Sequence, residues 1–371
     1  MALLAQIVRH FGDAYLKRRG ARVPAHQRKA LHAIVSCRTR RLGGVRRACR
    51  ACGHVHVRWH SCRNRHCPRC QKGNQQQWIQ ARARELPPVP YAHMVFTVPD
   101  LLAEHCRADP ERLYRALFEA ASQSVRQLAA QKYGITPGMI AVLHTWGQNL
   151  HYHPHIHLIV TAGGLTADGR WKPTPEGYVV PVRALSSIYR AKCFAALERL
   201  GQSLPKQTLK DKWVVHTRPP QPDPGSILLY LARYVYRVAI DESRIQSIDR
   251  QRVRFTYKDY RENGTRKSLT LSGEEFLSRF LQHILPSGFV KVRHYGLFAH
   301  GIKAKALAQL RASLPRHGAQ IVRTAQALLT LLAQTTMTVP PSRCPHCHSI
   351  DLVATAIMPT YAPIAQWAQA P

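Results

Sequence analysis

Apolar residues recur at helical spacing through the first forty positions. Leu3, Leu4, Ile7, Phe11 and Leu16 trace one stripe, so residues 1–19 read as an amphipathic helix. Pro24 sits where a second helix, residues 25–36, would begin. The period changes after Pro87-Pro-Val-Pro90, where a boundary is expected. Residues 91–98 alternate as a strand does, and residues 140–146 and 213–217 read as further strands. Residues 110–131 and 184–201 return to helical spacing. Between them His151-Tyr-His-Pro-His-Ile-His157 runs into Leu158-Ile-Val160 and closes at Gly163-Gly164 as one more strand. A helix over 225–239 is announced by Pro224 and Ser226. Residues 252–258 alternate cations with aromatic and apolar residues on a strand. Ser272 followed by Glu274 and Glu275 caps a short helix, and residues 302–334 are helix-forming. The pattern predicts an α+β fold: antiparallel strands with helices packed on one face.

Charge changes the picture most. The 371 residues hold 54 Lys+Arg against 20 Asp+Glu, a net charge of +34 that calls for a polyanionic partner. Eighteen of those excess charges fall within residues 1–90. Hydrophobic content of 45% suits a globular chain with a buried core. The opening Ala2-Leu-Leu-Ala5 is broken by Arg9 and Asp13, so neither a signal peptide nor a membrane partner is expected. Ten cysteines, many in Cys-x-x-Cys pairs, point to metal in a reducing, cytoplasmic setting rather than to disulfides.

The cysteines sit in two places. Cys49-x2-Cys52 and Cys67-x2-Cys70 are fourteen residues apart, and four thiolates at such spacing predict a closed structural Zn²⁺ site. Cys62, His54, His56, His60 and His66 lie within reach of it, so the ligand set stays open. Arg63, Arg65 and Arg69 interleave with these ligands, and Trp59 and Trp78 are near enough to stack on bases. A DNA-binding head is the natural expectation. Near the other end, Cys344-Pro-His-Cys347-His348 is half a zinc site. His346, His348 or upstream residues brought near by folding would have to complete it.

His155 and His157 carry the remaining chemistry. Two apart on a strand, they project both imidazoles from one face, which makes half of a divalent-metal site. Tyr230 and Tyr234 are four apart on the later helix, stacked roughly 40° apart around its axis, with Arg233 and Arg237 alongside. Such a tyrosine pair usually means core packing, but the flanking arginines suit phosphate.

Together these features resemble the two-tyrosine HUH endonucleases, and within them the rolling-circle insertion-sequence transposases, the family numbered ninety-one. Cys62-Arg-Asn-Arg-His-Cys-Pro-Arg-Cys-Gln71 is similar to its zinc block, and Leu143-His-Thr-Trp-Gly-Gln-Asn-Leu150 leading to His157 is similar to its metal segment. Tyr230-Leu-Ala-Arg-Tyr234, Phe255-Thr-Tyr-Lys-Asp-Tyr260 and Arg293-His-Tyr-Gly296 extend the likeness. The resemblance implies an HUH-like antiparallel sheet and a transposase acting on single-stranded DNA at element ends and target site. His155 and His157 would hold Mg²⁺ or Mn²⁺, and Tyr230 and Tyr234 would be the nucleophiles that form a 5′-phosphotyrosine. A third metal ligand is expected, with Gln148 the candidate because an oxygen donor suits Mg²⁺. His153 precedes Pro154, which leaves its aim open.

Three divisions are expected: a basic helical zinc-binding region over 1–88, a catalytic region over 89–300, and a helical tail with the Cys-x-x-Cys knuckle over 301–371. A metal-dependent hydrolytic nuclease and a non-catalytic zinc-containing DNA-binding protein are the rival readings. A zinc deaminase fits worse, because His155-Ile-His157 lacks the glutamate its motif needs.

Overall fold

The computed structural model describes residues 2–71, 75, 85–175, 180–202, 204, 213–221, 235–314 and 343–360. The chain opens with α1 (Leu3–Arg19) and α2 (Ala25–Ser36), where the periodicity puts them. Lys17, Arg18 and Arg19 fill the last turn of α1, where cations meet the negative end of the helix dipole. Strands β1 (Gly44–Cys49) and β2 (Val55–Trp59) then form a small antiparallel ribbon.

The central sheet begins with β3 (Tyr91–Thr97), followed by the short α3 (Asp100–His105) and the long α4 (Pro110–Tyr133). Pro110 at its first turn and left-handed Gly134 at its end bound α4 as such residues usually do. Strands β4 (Thr136–Trp146) and β5 (Tyr152–Leu165) make a long hairpin, with β6 (Trp171–Pro173) added to the end of β5. After α5 (Val182–Arg199), β7 (Val215–Gln221) pairs with β3, giving the order β4-β5-β3-β7.

Strands β8 (Ile245–Ile248), β9 (Arg252–Asp259) and β10 (Thr265–Ser272) form a separate three-stranded arm leading into α6 (Gly273–Leu281). Ser272 caps α6 as expected, its hydroxyl accepting from the Glu275 amide at 3.2 Å. Strand β11 (Val292–Gly296) closes the far edge of the central sheet against β4, and α7 (Lys303–Ser313) follows. Finally β12 (Leu352–Ile357) returns to pair with β1, so the ribbon has the order β12-β1-β2. The fold is α+β with antiparallel sheets. No described helix is long and apolar enough to cross a membrane.

Alternation decides what each sheet face meets. Ala92, Met94 and Phe96 of β3, Met139, Ala141 and Leu143 of β4, and Ile156, Leu158 and Val160 of β5 share one face with the apolar sides of α4 and α5. The opposite face is divided along its length. At one end Tyr91, Ile140 and Ile159 are covered by Leu297, Phe298 and the Leu307 and Leu310 side of α7. At the other end the same strand faces carry histidines.

Packing cuts across the expected sequence divisions. Leu4, Ile7, Leu31 and Ile34 of the first two helices share one core with Ala239, Phe255, Phe276 and Phe280. Strand β12, expected in a separate tail, belongs spatially to the ribbon. Residues 225–234 of the expected tyrosine helix, and residues 315–334 of the expected tail helix, lie outside the described residues.

Candidate metal centre

In the β4–β5 hairpin His144 stands directly opposite His155, and Val142 opposite His157. Even-numbered residues of β4 and odd-numbered residues of β5 therefore share a face. His144, His155 and His157 form one cluster whose ligand atoms all lie within 4.8 Å of one another. The ring centroids of His144 and His157 are 4.6 Å apart, and those of His155 and His157 are 4.9 Å apart.

Hydrogen bonds fix which nitrogens are available. His155 Nδ1–H donates to the His153 carbonyl at 2.7 Å, leaving the Nε2 lone pair unprotonated. His157 Nδ1 faces His93 Nε2 at 2.9 Å, and the two Nε2 atoms of His155 and His157 stand 3.2 Å apart. With His157 Nε2 also unprotonated, the two lone pairs would repel unless a cation lay between them. Nitrogens held at about 2.1 Å from one ion, at right angles, would lie roughly 3 Å apart, so the donor set fits a metal. With His157 Nε2 as ligand, its Nδ1–H would donate to His93, which orients the ring from behind. Burial holds His155 and His93 down to about 3 and His157 well below its ordinary value. All three are neutral near pH 7, and no proton need leave before a metal is bound.

Gln148, the expected third ligand, shares the cleft with these histidines. It lies in the loop that joins the two strands, where its carbonyl accepts from Arg244, and it lines the cleft beside the histidines. Hairpin pairing, rather than sequence distance, brings His144 against His155 as a further imidazole of the cluster. The loop is held from outside: Leu150, at φ 64°, accepts from Gln282 Nε2 at 3.0 Å and His283 Nε2 at 3.1 Å. His151 and His153 line the cleft as neighbours, His153 facing Asp100 at 3.6 Å.

The cleft over the histidines has a volume of about 760 Å³. Its walls bring Arg237, the β9 residues Tyr257, Lys258 and Asp259, and Tyr260 just beyond β9 to the imidazoles. Tyr230, Arg233 and Tyr234 lie outside the described residues, whereas Arg237, three positions beyond Tyr234, lines the cleft.

Eight of the ten cysteines form two groups, and the expected set Cys49, Cys52, Cys67 and Cys70 is divided between them. Cys67 and Cys70 join Cys62 and Cys37, while Cys49 and Cys52 join Cys344 and Cys347. Cys37 follows α2 and is far enough upstream that Cys-x-x-Cys spacing alone overlooks it. Thiolates around one tetrahedral zinc lie roughly 3.8 Å apart, and Cys70 Sγ is 3.5 Å from Cys37 Sγ and 3.6 Å from Cys62 Sγ. His66 is turned away from both groups, its Nε2 accepting from the Leu285 amide at 3.3 Å. Arg65 is committed to the fold as well: its half-buried guanidinium donates to the carbonyls of Phe289 and, at 2.6 Å, Pro286. Arg69 donates to the Cys37 carbonyl at 3.3 Å, and Arg63 takes a left-handed backbone at φ 53°.

Comparison with known proteins meets this geometry from outside. A family model described as "Putative transposase" matches residues 138–306, and one described as "Transposase zinc-binding domain", of the IS91 type, matches residues 7–98. The protein y4qJ of Sinorhizobium fredii, described in the same two words as the first model, is 38% identical over 331 residues, covering 83% of each chain. The transposase for insertion sequence element IS801 of Pseudomonas savastanoi is 29% identical over 348 residues, covering 87% of this chain and 82% of its own. No solved structure matches the chain. On these grounds the chain belongs to the IS91 family of insertion-sequence transposases and carries that family's amino-terminal zinc-binding domain.

Proposed function

We propose that this transposase nicks and rejoins single-stranded DNA at element ends and target site through a covalent 5′-phosphotyrosine, as rolling-circle transposition requires. The observation that supports this reading is the gathering of three imidazoles and Arg237 in one cleft. Tyr230 or Tyr234 attacks the scissile phosphorus through its Oη. The Oη–P bond forms, the P–O3′ bond breaks, and the phenolic proton is lost as the 3′-oxygen leaves as a hydroxyl. Rejoining reverses these steps with an incoming 3′-hydroxyl, so no nucleotide triphosphate is consumed.

His144, His155 and His157 would hold Mg²⁺ or Mn²⁺, which when bound supplies positive charge against the phosphate oxygens. An all-imidazole set favours first-row transition ions, and hence Mn²⁺ over Mg²⁺. Arg237 and Lys258 neutralise neighbouring phosphates, and Tyr257 and Tyr260 offer faces for unstacked bases. Cys37, Cys62, Cys67 and Cys70 hold the structural zinc of the amino-terminal domain, whose basic surface binds the element end.

The test is a denaturing gel after incubation with Mn²⁺ and a single-stranded element-end oligonucleotide. A DNA–protein adduct that disappears in Tyr230→Phe combined with Tyr234→Phe supports the reading. Cleavage without adduct points to the hydrolytic nuclease, and binding without cleavage sinks the enzymatic reading altogether.

A further inference from the structure

Cys49 and Cys347 are 298 positions apart in the chain, yet their Sγ atoms lie 3.6 Å from each other, and those of Cys52 and Cys344 lie 3.7 Å apart. All four are free thiols in the structure. These separations are far beyond an S–S bond of about 2.05 Å and close to the edge of a zinc tetrathiolate, roughly 3.8 Å.

The two segments that supply them are built alike. In the first, the Gly53 amide donates to the Cys49 carbonyl at 2.9 Å and the Cys49 amide to the His54 carbonyl at 2.9 Å. In the second, the His348 amide donates to the Cys344 carbonyl at 2.9 Å and the Cys344 amide to the Ser349 carbonyl at 2.7 Å. Gly53 and His348, at matching positions, both take a left-handed backbone, with φ 73° and 58°. Two tight turns of the same geometry thus present two thiols each to a common point. The His54 and His346 rings stack beside it, their centroids 5.7 Å apart.

Apolar packing offers little to hold these turns together. Along β2 and β12 the side chains are mostly exposed, among them Val55, Val57 and Val353, and Ile350 and Met358 are exposed beside them. A three-stranded ribbon with so small a core needs another source of cohesion.

We propose that Cys49, Cys52, Cys344 and Cys347 bind a second structural Zn²⁺, which clasps the carboxy-terminal turn and β12 onto the amino-terminal ribbon. Binding exchanges four thiol protons for one ion, and the protons go to solvent. The site is separate from the thiolates of Cys37, Cys62, Cys67 and Cys70, and only half of it lies in the region matched by the zinc-binding family model. It is also independent of the tyrosine chemistry proposed above.

Zinc content of the full-length purified protein tests the clasp. Wild type is expected to hold two zinc ions per chain, and the double variant Cys344→Ser, Cys347→Ser one. The control Cys106→Ser, Cys193→Ser, which alters buried cysteines outside both groups, should keep two. Because the first variant could fail to fold, cadmium-substituted wild type gives a second measure. Its thiolate-to-cadmium absorption should be twice that of a single four-thiolate centre. One zinc ion in wild type, cadmium absorption of a single centre, or two zinc ions retained by a folded Cys344/Cys347 variant would each overturn the proposal.

Discussion

The histidine cluster offers three imidazoles from two neighbouring strands, all on one side of the sheet, and leaves the other side open to a cleft. Each cysteine cluster instead takes four thiols from separate stretches of chain and surrounds a point. The donors differ as well. Neutral imidazoles on an open face would suit an ion that also meets substrate, whereas four thiolates would saturate zinc and leave no position for a reactant. An open half-shell on a sheet suits chemistry, and a closed shell between separate backbone segments suits cohesion.

Removing ligands from the two kinds of cluster should therefore fail in different ways. The largest effect is expected for Cys70→Ala. Losing a structural zinc forfeits binding energy on the order of 10 kcal/mol, comparable with the whole stability of a typical domain. Cys70 also sits in the core that joins α1 and α2 to α6. Circular dichroism should show loss of cooperative melting, together with loss of DNA cleavage. In His155→Ala, by contrast, cleavage should fall by roughly 10²-fold or more while the melting temperature stays within a few degrees. If the histidine variant also unfolded, the distinction between reactive and structural shells would collapse.

A smaller difference separates His144 from Gln148. His144→Ala should cost roughly 10²-fold in cleavage, with the metal concentration for half-maximal rate raised. Gln148→Ala should cost under about 10-fold, because its fixed contribution is a backbone carbonyl that alanine retains. The reverse ranking in single-turnover assays would return the third ligand to the loop.

The smallest effect concerns acid. His283 is buried and neutral, donating from Nε2 to the Leu150 carbonyl and accepting at Nδ1 from the Thr145 hydroxyl at 3.2 Å. Burial lowers it from 6.5 to about 3. A lowered folded value means its stabilisation is complete above the unfolded value of 6.5 and is lost as pH falls from there towards 3, at up to ~1.4 kcal/mol per pH unit. Urea titrations over that window should show His283→Asn flattening the slope by about one proton. Added Mn²⁺ should alter the share owed to His155 and His157 and leave that of His283 untouched.

Much of this was legible in the residues. Strand parity alone puts His155 and His157 on one face, and the periodicity of residues 1–36 and 91–131 places α1, α2, α4 and β3, the first strand of the central sheet. Chemical type points to Gln148 in the connecting loop and leaves His144 unannounced. Treating residues 147–151 as a hairpin turn would have set His144 against His155 and exposed the match. The zinc groups were mispaired for a topological reason. Spacing weighs only near neighbours, and nothing local announces that β12 will return to β1 or that Cys37 will meet Cys70. Arg65 reads as a phosphate ligand by composition, yet the backbone carbonyls at 286 and 289 claim its guanidinium.

The shared core between the first two helices and residues 239–284 bears on how such transposases can be recombined. A chimera cut at the proline-rich stretch 87–90 would exchange the head but leave Phe276 and Phe280 facing a stranger's helices. It would also strip the support from α6, and the residues just after it, Gln282 and His283, hold Leu150 and so the turn of the histidine hairpin. An exchange of the head that keeps its packing has to move residues 1–71, the 239–284 segment and the 343–357 segment as one unit. The natural seam of this protein is drawn by its packing, and three separate stretches of chain lie on the same side of it.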